Sequence, residues 1–175
     1  HREGRSVATI GLEAAAAGLP ACAVRVISDP AERSLPPLAT RALRPDGRVD
    51  FPAVLANIAA AVDSISHGRL LLGIGAGWQV NEHAAYGIEL GTVSERLDRF
   101  EEACEVISSL LRERHTTYAG KYYRVTEAPN QPAPVQPRLP LLIGGGGEKR
   151  TMRIAARYAD EWNFWSTPDV LAGKL

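Results

Sequence analysis

Cysteine is scarce in this 175-residue chain: Cys22 and Cys104 are the only two, and neither lies in a paired motif. A disulfide framework and a zinc site therefore have no support in the sequence, and we expect no bound metal. No apolar run approaches the roughly 18 residues of a membrane span. The start of the chain lacks the basic-then-apolar order of a signal peptide, so we expect a cytoplasmic protein.

The chain also lacks an excess of either charge. Lys and Arg total 20, and Asp and Glu total 20, which gives a formal net charge of zero. No whole-chain charge attracts the protein to nucleic acid or to an acidic membrane surface. We therefore expect small neutral or anionic molecules as partners, and neither nucleic acid nor a membrane.

Aromatic residues are absent from the first 50 residues, which also contain no lysine and are rich in Ala, Arg and Pro. Such a segment is poorly equipped to build a core. Its prolines at positions 30, 36, 37 and 45 predict irregular chain. We therefore divide the chain into a segment 1–50, which is either disordered or read in a shifted frame, and a folded domain 51–175. The absence of an initiating Met suggests that upstream sequence is missing.

After residue 50 the apolar pattern becomes regular. Pro52 opens a helix over 52–65 that His67 and Gly68 end, and a continuous apolar run over 69–75 predicts a buried strand. A second helix is predicted over 94–111, with Ser94 as its cap. The later elements are a strand over 141–143, a helix over 148–158 and a strand over 160–165. This alternation predicts parallel strands joined by right-handed crossovers, the organisation of an α/β fold.

The glycine run, which we define as Gly144, Gly145, Gly146 and Gly147, follows a buried strand and precedes a helix. Backbone N–H groups in that position can hold a phosphate, and glycine lets the backbone approach it closely. Lys149 and Arg150, predicted in the first helical turn, would add positive charge. The alternative is a tight strand-to-helix turn with solvated basic residues.

Two familiar phosphate motifs do not match. The glycine run is no P-loop, because Arg150 follows Lys149 where Ser or Thr is required. The segment 73–77 resembles a dinucleotide fingerprint only loosely, since Gly77 comes one residue early. A nucleotide-binding domain of another lineage is therefore disfavoured.

Several segments, taken together and in order, resemble the luciferase-like monooxygenase family, and most closely its deazaflavin-dependent (coenzyme F420-dependent) oxidoreductases. They are residues 52–57, the turn 73–78 with Asn81 and 86–87, the helix segment 95–102, and 143–147 followed by 155–160 and 162–163. The similarity covers about residues 51–165. It implies an α/β fold, a partial TIM-type (β/α)8 barrel that holds only the middle strands, the fourth to the sixth. A complete barrel usually needs roughly 250 residues.

The resemblance also implies a cofactor across the carboxyl face of the barrel, coenzyme F420 or alternatively FMN. By that resemblance Ala76 and Gly77 contact the ring or its ribityl chain, Asn81 forms a hydrogen bond nearby, and Trp78 forms a wall of the ring pocket. Trp78 packing beneath the turn is the structural alternative. The backbone of Gly144, Gly145, Gly146 and Gly147 is implied to hold the cofactor phosphate.

The resemblance further implies a small organic substrate, a homo-oligomeric parent and a short hairpin over 118–123. Asn163 and Phe164 could reach the pocket, although Trp162 and Phe164 also suit a core. No catalytic acid or base is identifiable, and His83 is interpreted as an exposed residue of a helix turn. Glu101 and Glu102 are interpreted as part of a charged helical face that is solvated and pairs with Arg96, Arg99 and Arg112. The leading hypothesis is a flavin- or deazaflavin-dependent oxidoreductase, present as a fragment. Its alternative is a truncated, non-catalytic remnant that keeps the phosphate turn.

Overall fold

The computed structural model describes residues 50–173. Expectations for residues 1–49 and for Cys22 lie outside the described residues. The helices are α1 (Phe51–Ile65), α2 (Val80–Ala85), α3 (Val93–Arg112), α4 (Thr151–Tyr158) and α5 (Pro168–Ala172). The strands are β1 (Leu72–Gly75), β2 (Thr116–Ala119), β3 (Arg124–Ala128), β4 (Leu141–Gly144) and β5 (Glu161–Asn163).

Helix α1 forms where the sequence predicted it. Asp50 caps the helix by accepting a hydrogen bond from the backbone N–H of Ala53, and Pro52 occupies the first turn, where no N–H partner is needed. His67 and Gly68 follow with φ of 56° and 76°, and this left-handed backbone ends the helix.

Strands β1, β4 and β5 form a parallel sheet in the order β1-β4-β5. The predicted alternation of helices and parallel strands is confirmed. Helix α3 packs between α1 and α4, and α4 contacts β4. The core consists of small and branched apolar side chains together with Phe100, Cys104 and Tyr158; its most buried members include Ala56, Leu72, Val106, Leu139, Leu141, Ile143 and Ile154.

Strands β2 and β3 form the predicted short hairpin, which is antiparallel. Its turn is held by Glu102 of α3, whose carboxylate accepts hydrogen bonds from the backbone N–H groups of Lys121, Tyr122 and Tyr123 at 2.9, 2.8 and 3.1 Å. The sequence had assigned Glu102 to a solvated face paired with arginines. That assignment is wrong, because the hairpin returns over α3 and presents its backbone donors to this carboxylate.

Several predicted boundaries also need correction. Helix α3 begins at Val93 and is capped by Thr92, not Ser94. Thr92 and Glu95 form a complete capping box, which holds the pKa of Glu95 below its usual value through hydrogen bonds from Thr92. The outer strands are shorter than predicted, Leu72–Gly75 and Glu161–Asn163, and α2 is an additional short helix.

Helix α4 begins at Thr151 and not at residue 148. The carbonyl of Gly147 accepts from the N–H of Met152 at 3.0 Å, a wider turn than the α-helical one. Lys149 and Arg150 therefore precede the helix and do not lie in its first turn.

Candidate cofactor site

The carboxyl ends of the three parallel strands meet at one edge of the sheet. Gly75 pairs with Gly144, and Gly144 pairs with Asn163. The turns that follow β1 and β4 therefore start side by side. In α/β barrels this edge is where ligands bind.

The first turn, residues 75–79, depends on Gly77. Its φ is +78°, and a Cβ there would lie 3.1 Å from Nε2 of His83. His83 donates from Nδ1 to the carbonyl oxygen of Gln79 at 2.7 Å. His83 is thus half-buried against the turn, which corrects its interpretation as an exposed residue. Helix α2 folds the chain back at this point and brings the imidazole onto Gly77.

Arg96 of α3 also reaches the first turn. Its Nη1 donates to the carbonyl oxygen of Gly77 at 2.8 Å. Its Nε is buried and has no hydrogen-bond partner within residues 50–173. The amino end of α3 therefore supports the turn that follows β1.

The other residues predicted in this region follow β1 at the carboxyl edge of the sheet. Ala76 is half-buried and packs against the core, whereas Trp78 is 75% exposed. The alternative in which the indole of Trp78 packs beneath the turn is therefore wrong, because most of this side chain is exposed. Asn81 is exposed in the first turn of α2.

The glycine run is held tightly at its start. The N–H of Gly145 donates to the carbonyl oxygen of Asn163 at 2.9 Å, and the carbonyl of Gly145 accepts from Nε1 of Trp162 at 2.8 Å. Gly145 has a φ of +131°, a backbone region that other residues rarely adopt. The ring of Phe164 lies directly against Gly146, where an added Cβ would be 1.7 Å from Cε2.

The remaining donors of the run suit an anion. Within the described residues the backbone N–H groups of Gly146 and Gly147 donate no hydrogen bond. A Cβ on Gly147 would lie 2.8 Å from Oγ1 of Thr151, so that hydroxyl stands close to the run. A cleft of about 380 Å³ is lined by residues 146–151 and Leu97. This donor set and this space fit a phosphate group.

Arg150 is not the free cation that the sequence suggested. It forms an ion pair with Asp98 at 2.7 Å and donates to the carbonyl oxygen of Ser94 at 3.4 Å. The hydrogen bond to Asp98 raises the pKa of the guanidinium further. Glu101 is the second carboxylate near Arg150, with its Oε2 3.5 Å from Nη2. Glu101 therefore pairs with Arg150 and not, as predicted, with arginines of its own helix. Lys149 is exposed at the rim of the cleft.

Two aromatic residues at β5, one within the strand and one directly after it, form a stacked pair. Trp162 and Phe164 stack with ring centroids 5.7 Å apart and planes within 3°. Both are half-buried, and Asn163 between them is exposed at the carboxyl edge. Trp162 packs against the core, as the core alternative proposed, but it also contacts the glycine run.

Three residues of this site were missed by the sequence analysis: Arg96, Thr151 and Trp162. Arg96 and Trp162 act on turns that lie 19 and 17 residues away in the chain. No local pattern signals such contacts. Thr151 had a signal, since it is the first hydroxyl residue after the glycine run.

Other kinds of site find no support in the part of the chain that is described. Residues 50–173 hold no group of three or more His, Cys, Asp or Glu side chains suited to a metal ion. Among the same residues, no helix is long and apolar enough to cross a membrane. Cys104 is buried, and burial raises the pKa of its thiol, so it is a core residue and not a nucleophile.

Sequence comparison connects this geometry to known proteins. A family model described as luciferase-like monooxygenase matches residues 50–174. An F420-dependent glucose-6-phosphate dehydrogenase of Microbacterium testaceum is 35% identical over 132 residues, which cover 75% of this chain and 38% of that protein. A protein of the same name from Kineococcus radiotolerans is 36% identical over 123 residues, covering 70% of this chain and 35% of that one.

Two solved structures share the fold. An F420-dependent secondary alcohol dehydrogenase in complex with an F420-acetone adduct superposes with a TM-score of 0.60 and 28% identity, over 69% of this chain and 36% of that one. A monooxygenase from Streptomyces bottropensis gives a TM-score of 0.52 and 28% identity, over 61% of this chain and 32% of that one.

The chain spans 38% or less of the length of these relatives. The described residues accordingly form part of a luciferase-like α/β barrel, with its parallel strands and the turns at their carboxyl ends. The family model covers well over half of the chain, and the relatives include F420-dependent dehydrogenases and a monooxygenase. The chain therefore belongs to the luciferase-like monooxygenase family.

Proposed function

We propose that the protein binds coenzyme F420 at the carboxyl edge of its parallel sheet and takes part in hydride transfer to or from a small organic substrate. The observation that carries this proposal is the alignment of Gly75, Gly144 and Asn163 as partners on neighbouring strands. This alignment brings two glycine-containing turns together. The F420-dependent relatives favour F420 over FMN.

In this proposal each turn holds a different part of the cofactor. Gly146 and Gly147 donate backbone N–H groups to the phosphate, with the hydroxyl of Thr151 beside them. Ala76, Gly77 and Trp78 lie against the ring, and Asn81 contributes a polar group at its edge. The bound cofactor supplies the hydride chemistry, whereas the protein positions the cofactor and excludes water.

Equilibrium dialysis of the protein against F420 and against FMN tests the proposal. We expect tighter retention of F420. Tighter retention of FMN would reassign the cofactor, and retention of neither would favour a chain that keeps the turns without binding a cofactor.

Two variants locate the site within the same experiment. Gly145→Val should weaken F420 binding strongly, because valine is strained at a φ of +131° and its Cβ would lie 3.0 Å from Cγ2 of Thr151. Lys149→Ala should weaken binding only modestly, because backbone groups provide most of the proposed contacts.

Gly68→Val is the matched control. Gly68 also has positive φ, +76°, but it precedes β1 and so belongs to the opposite edge of the sheet. Its substitution should affect folding and not affinity. A folded Gly145→Val variant with unchanged affinity would show that the glycines serve only the tightness of the turn.

A further inference from the structure

Each of the two turns has one peptide carbonyl held by a side-chain N–H from a distant part of the chain. Nη1 of Arg96 donates to the carbonyl oxygen of Gly77, and Nε1 of Trp162 donates to that of Gly145, both at 2.8 Å. Arg96 comes from α3 and Trp162 from β5.

Holding a carbonyl also fixes the direction of the next N–H. The peptide unit is planar and trans, so its C=O and N–H point in opposite directions. The bond from Trp162 therefore directs the N–H of Gly146 away from the indole, and the bond from Arg96 directs the N–H of Trp78 away from α3.

Such control matters most next to glycine. Glycine permits backbone conformations on both sides of φ zero, so an unrestrained peptide beside it rotates readily. The N–H of Gly145 is already bonded to Asn163, which leaves the peptide between Gly145 and Gly146 as the one that Trp162 fixes. In the same way, Arg96 fixes the peptide between Gly77, which has a φ of +78°, and Trp78.

We propose that Trp162 and Arg96 are positioning residues that lock these two peptides and so aim the N–H groups of Gly146 and Trp78 at the bound cofactor. This inference rests on the proposed function. Trp162 acts on the turn proposed to hold the phosphate, and Arg96 acts on the turn proposed to lie against the ring. The two locks should therefore differ in which part of the cofactor they affect.

Trp162→Phe tests the first lock, because phenylalanine keeps a ring to stack on Phe164 but has no N–H. Binding is measured by fluorescence titration with F420 and with its deazaflavin chromophore lacking the phosphate-containing side chain. We expect about tenfold weaker binding of F420, the effect of one misdirected hydrogen bond, and unchanged binding of the chromophore. Trp165→Phe is the matched control, since Trp165 is 85% exposed.

Arg96→Met tests the hydrogen bond from Arg96 to Gly77, because methionine is also unbranched but has no N–H donor. We expect F420 and the phosphate-free chromophore to be weakened by the same factor. Arg96→Lys, which retains a donor, should recover part of the affinity. Arg157→Met is the control, because Arg157 pairs with Glu105 on the outer surface of α3 and α4.

A cofactor-free measurement separates this inference from the proposed function. In ¹H–¹⁵N spectra of the full chain, Trp162→Phe should shift and broaden the amide signals of Gly145 and Gly146, and Trp165→Phe should leave them in place. Unchanged amide signals, or equal weakening of both ligands by Trp162→Phe, would overturn the lock. If the unsubstituted protein binds neither ligand, the proposed function fails and the amide signals alone decide the inference.

Discussion

Single glycines decide the shape of the candidate site, and they do so for different reasons. Gly145 and Gly77 are required by their backbone conformation, whereas Gly146 is required by space. The ring of Phe164 occupies the volume that any side chain at Gly146 would need. The two kinds of requirement respond differently to substitution, which makes them separable by experiment.

Gly146→Ala should lower the free energy of unfolding by about 1–3 kcal/mol, because the Phe164 ring must leave its position. In a Phe164→Ala background the same substitution should cost much less, since the colliding ring is gone. Urea denaturation of the two single variants and the double variant measures this coupling.

Gly73→Ala is the control for the same series. The nearest atom to a Cβ at Gly73 is Cδ2 of Leu142 at 3.8 Å, an ordinary contact, so this change should be close to neutral. An equal cost of Gly146→Ala with and without Phe164 would contradict the steric explanation.

Carboxylates fasten one element to the next. Glu102 on α3 holds the turn of the β2–β3 hairpin through three backbone donors. Asp160, which directly precedes β5, accepts from the N–H of Leu141 at the start of β4. The contacts of each carboxylate join elements that are separate in sequence. Loss of such a contact should therefore weaken the packing of one element against another more than the hydrogen bonds within either element.

Glu102→Gln should destabilise the protein by about 1–2 kcal/mol. The amide keeps one acceptor oxygen and loses the charge, so the donors from Lys121, Tyr122 and Tyr123 are less well satisfied. Thermal or urea denaturation gives the size of the effect, and hydrogen exchange should show faster opening of the hairpin amides. Glu113→Gln, at an exposed position at the end of α3, is the control and should change stability little.

Asp160 should make stability depend on pH. Burial alone would raise the pKa of this carboxyl, but the N–H of Leu141, Arg138 and Arg112 together outweigh burial and lower it. Because the folded pKa lies below the unfolded value of about 3.9, the stabilisation is present above about pH 4 and disappears as the pH falls through the folded pKa.

The difference in unfolding free energy between the original protein and Asp160→Asn measures this contribution. We expect a constant difference between pH 7 and 5 and a shrinking one below pH 4. A difference that persists unchanged at pH 3, or that grows, would show that the carboxylate does not stabilise the fold through its charge.

At the scale of the whole molecule, one buried carboxylate joins three segments at the edge of the sheet opposite the turns. Asp63 of α1 is 0% exposed and accepts from the backbone N–H groups of Val135 and Gln136 at 2.9 and 3.0 Å. The side-chain amide of Gln136 donates to Asp63 at 2.7 Å and to the carbonyl oxygen of Leu70 at 2.8 Å. The proline-rich connection before β4 is thereby tied to α1 and to the approach to β1.

Asp63→Ala should be the most destabilising of these substitutions, by about 3 kcal/mol, because it leaves the partly buried N–H groups of Val135 and Gln136 and the side-chain amide of Gln136 without their acceptor. Denaturation measures the loss of stability. At a temperature where the variant remains folded, its F420 affinity should equal that of the unsubstituted protein, because the tie lies away from the proposed site. Weaker binding by a folded Asp63→Ala variant would show that the two edges of the sheet are coupled.

Much of this fold followed from the sequence alone. Helical spacing and continuous apolar runs indicated α1, α3 and the three parallel strands, because burial against neighbours imposes those periods on any sequence that forms a layered core. The glycine run was placed at the carboxyl end of a buried strand for the same reason. Motif order further indicated the family that the comparison confirms.

Only the tertiary structure decided where the polar side chains act. The partners of Glu102 and Arg150, the half-buried position of His83 and the start of α4 at Thr151 were each missed or wrongly assigned. Arg96 and Trp162 reach Gly77 and Gly145 across 19 and 17 residues of chain. Periodicity reports which face of an element is buried, but a directed hydrogen bond depends on where a second element packs, and that position is fixed only when the whole core assembles.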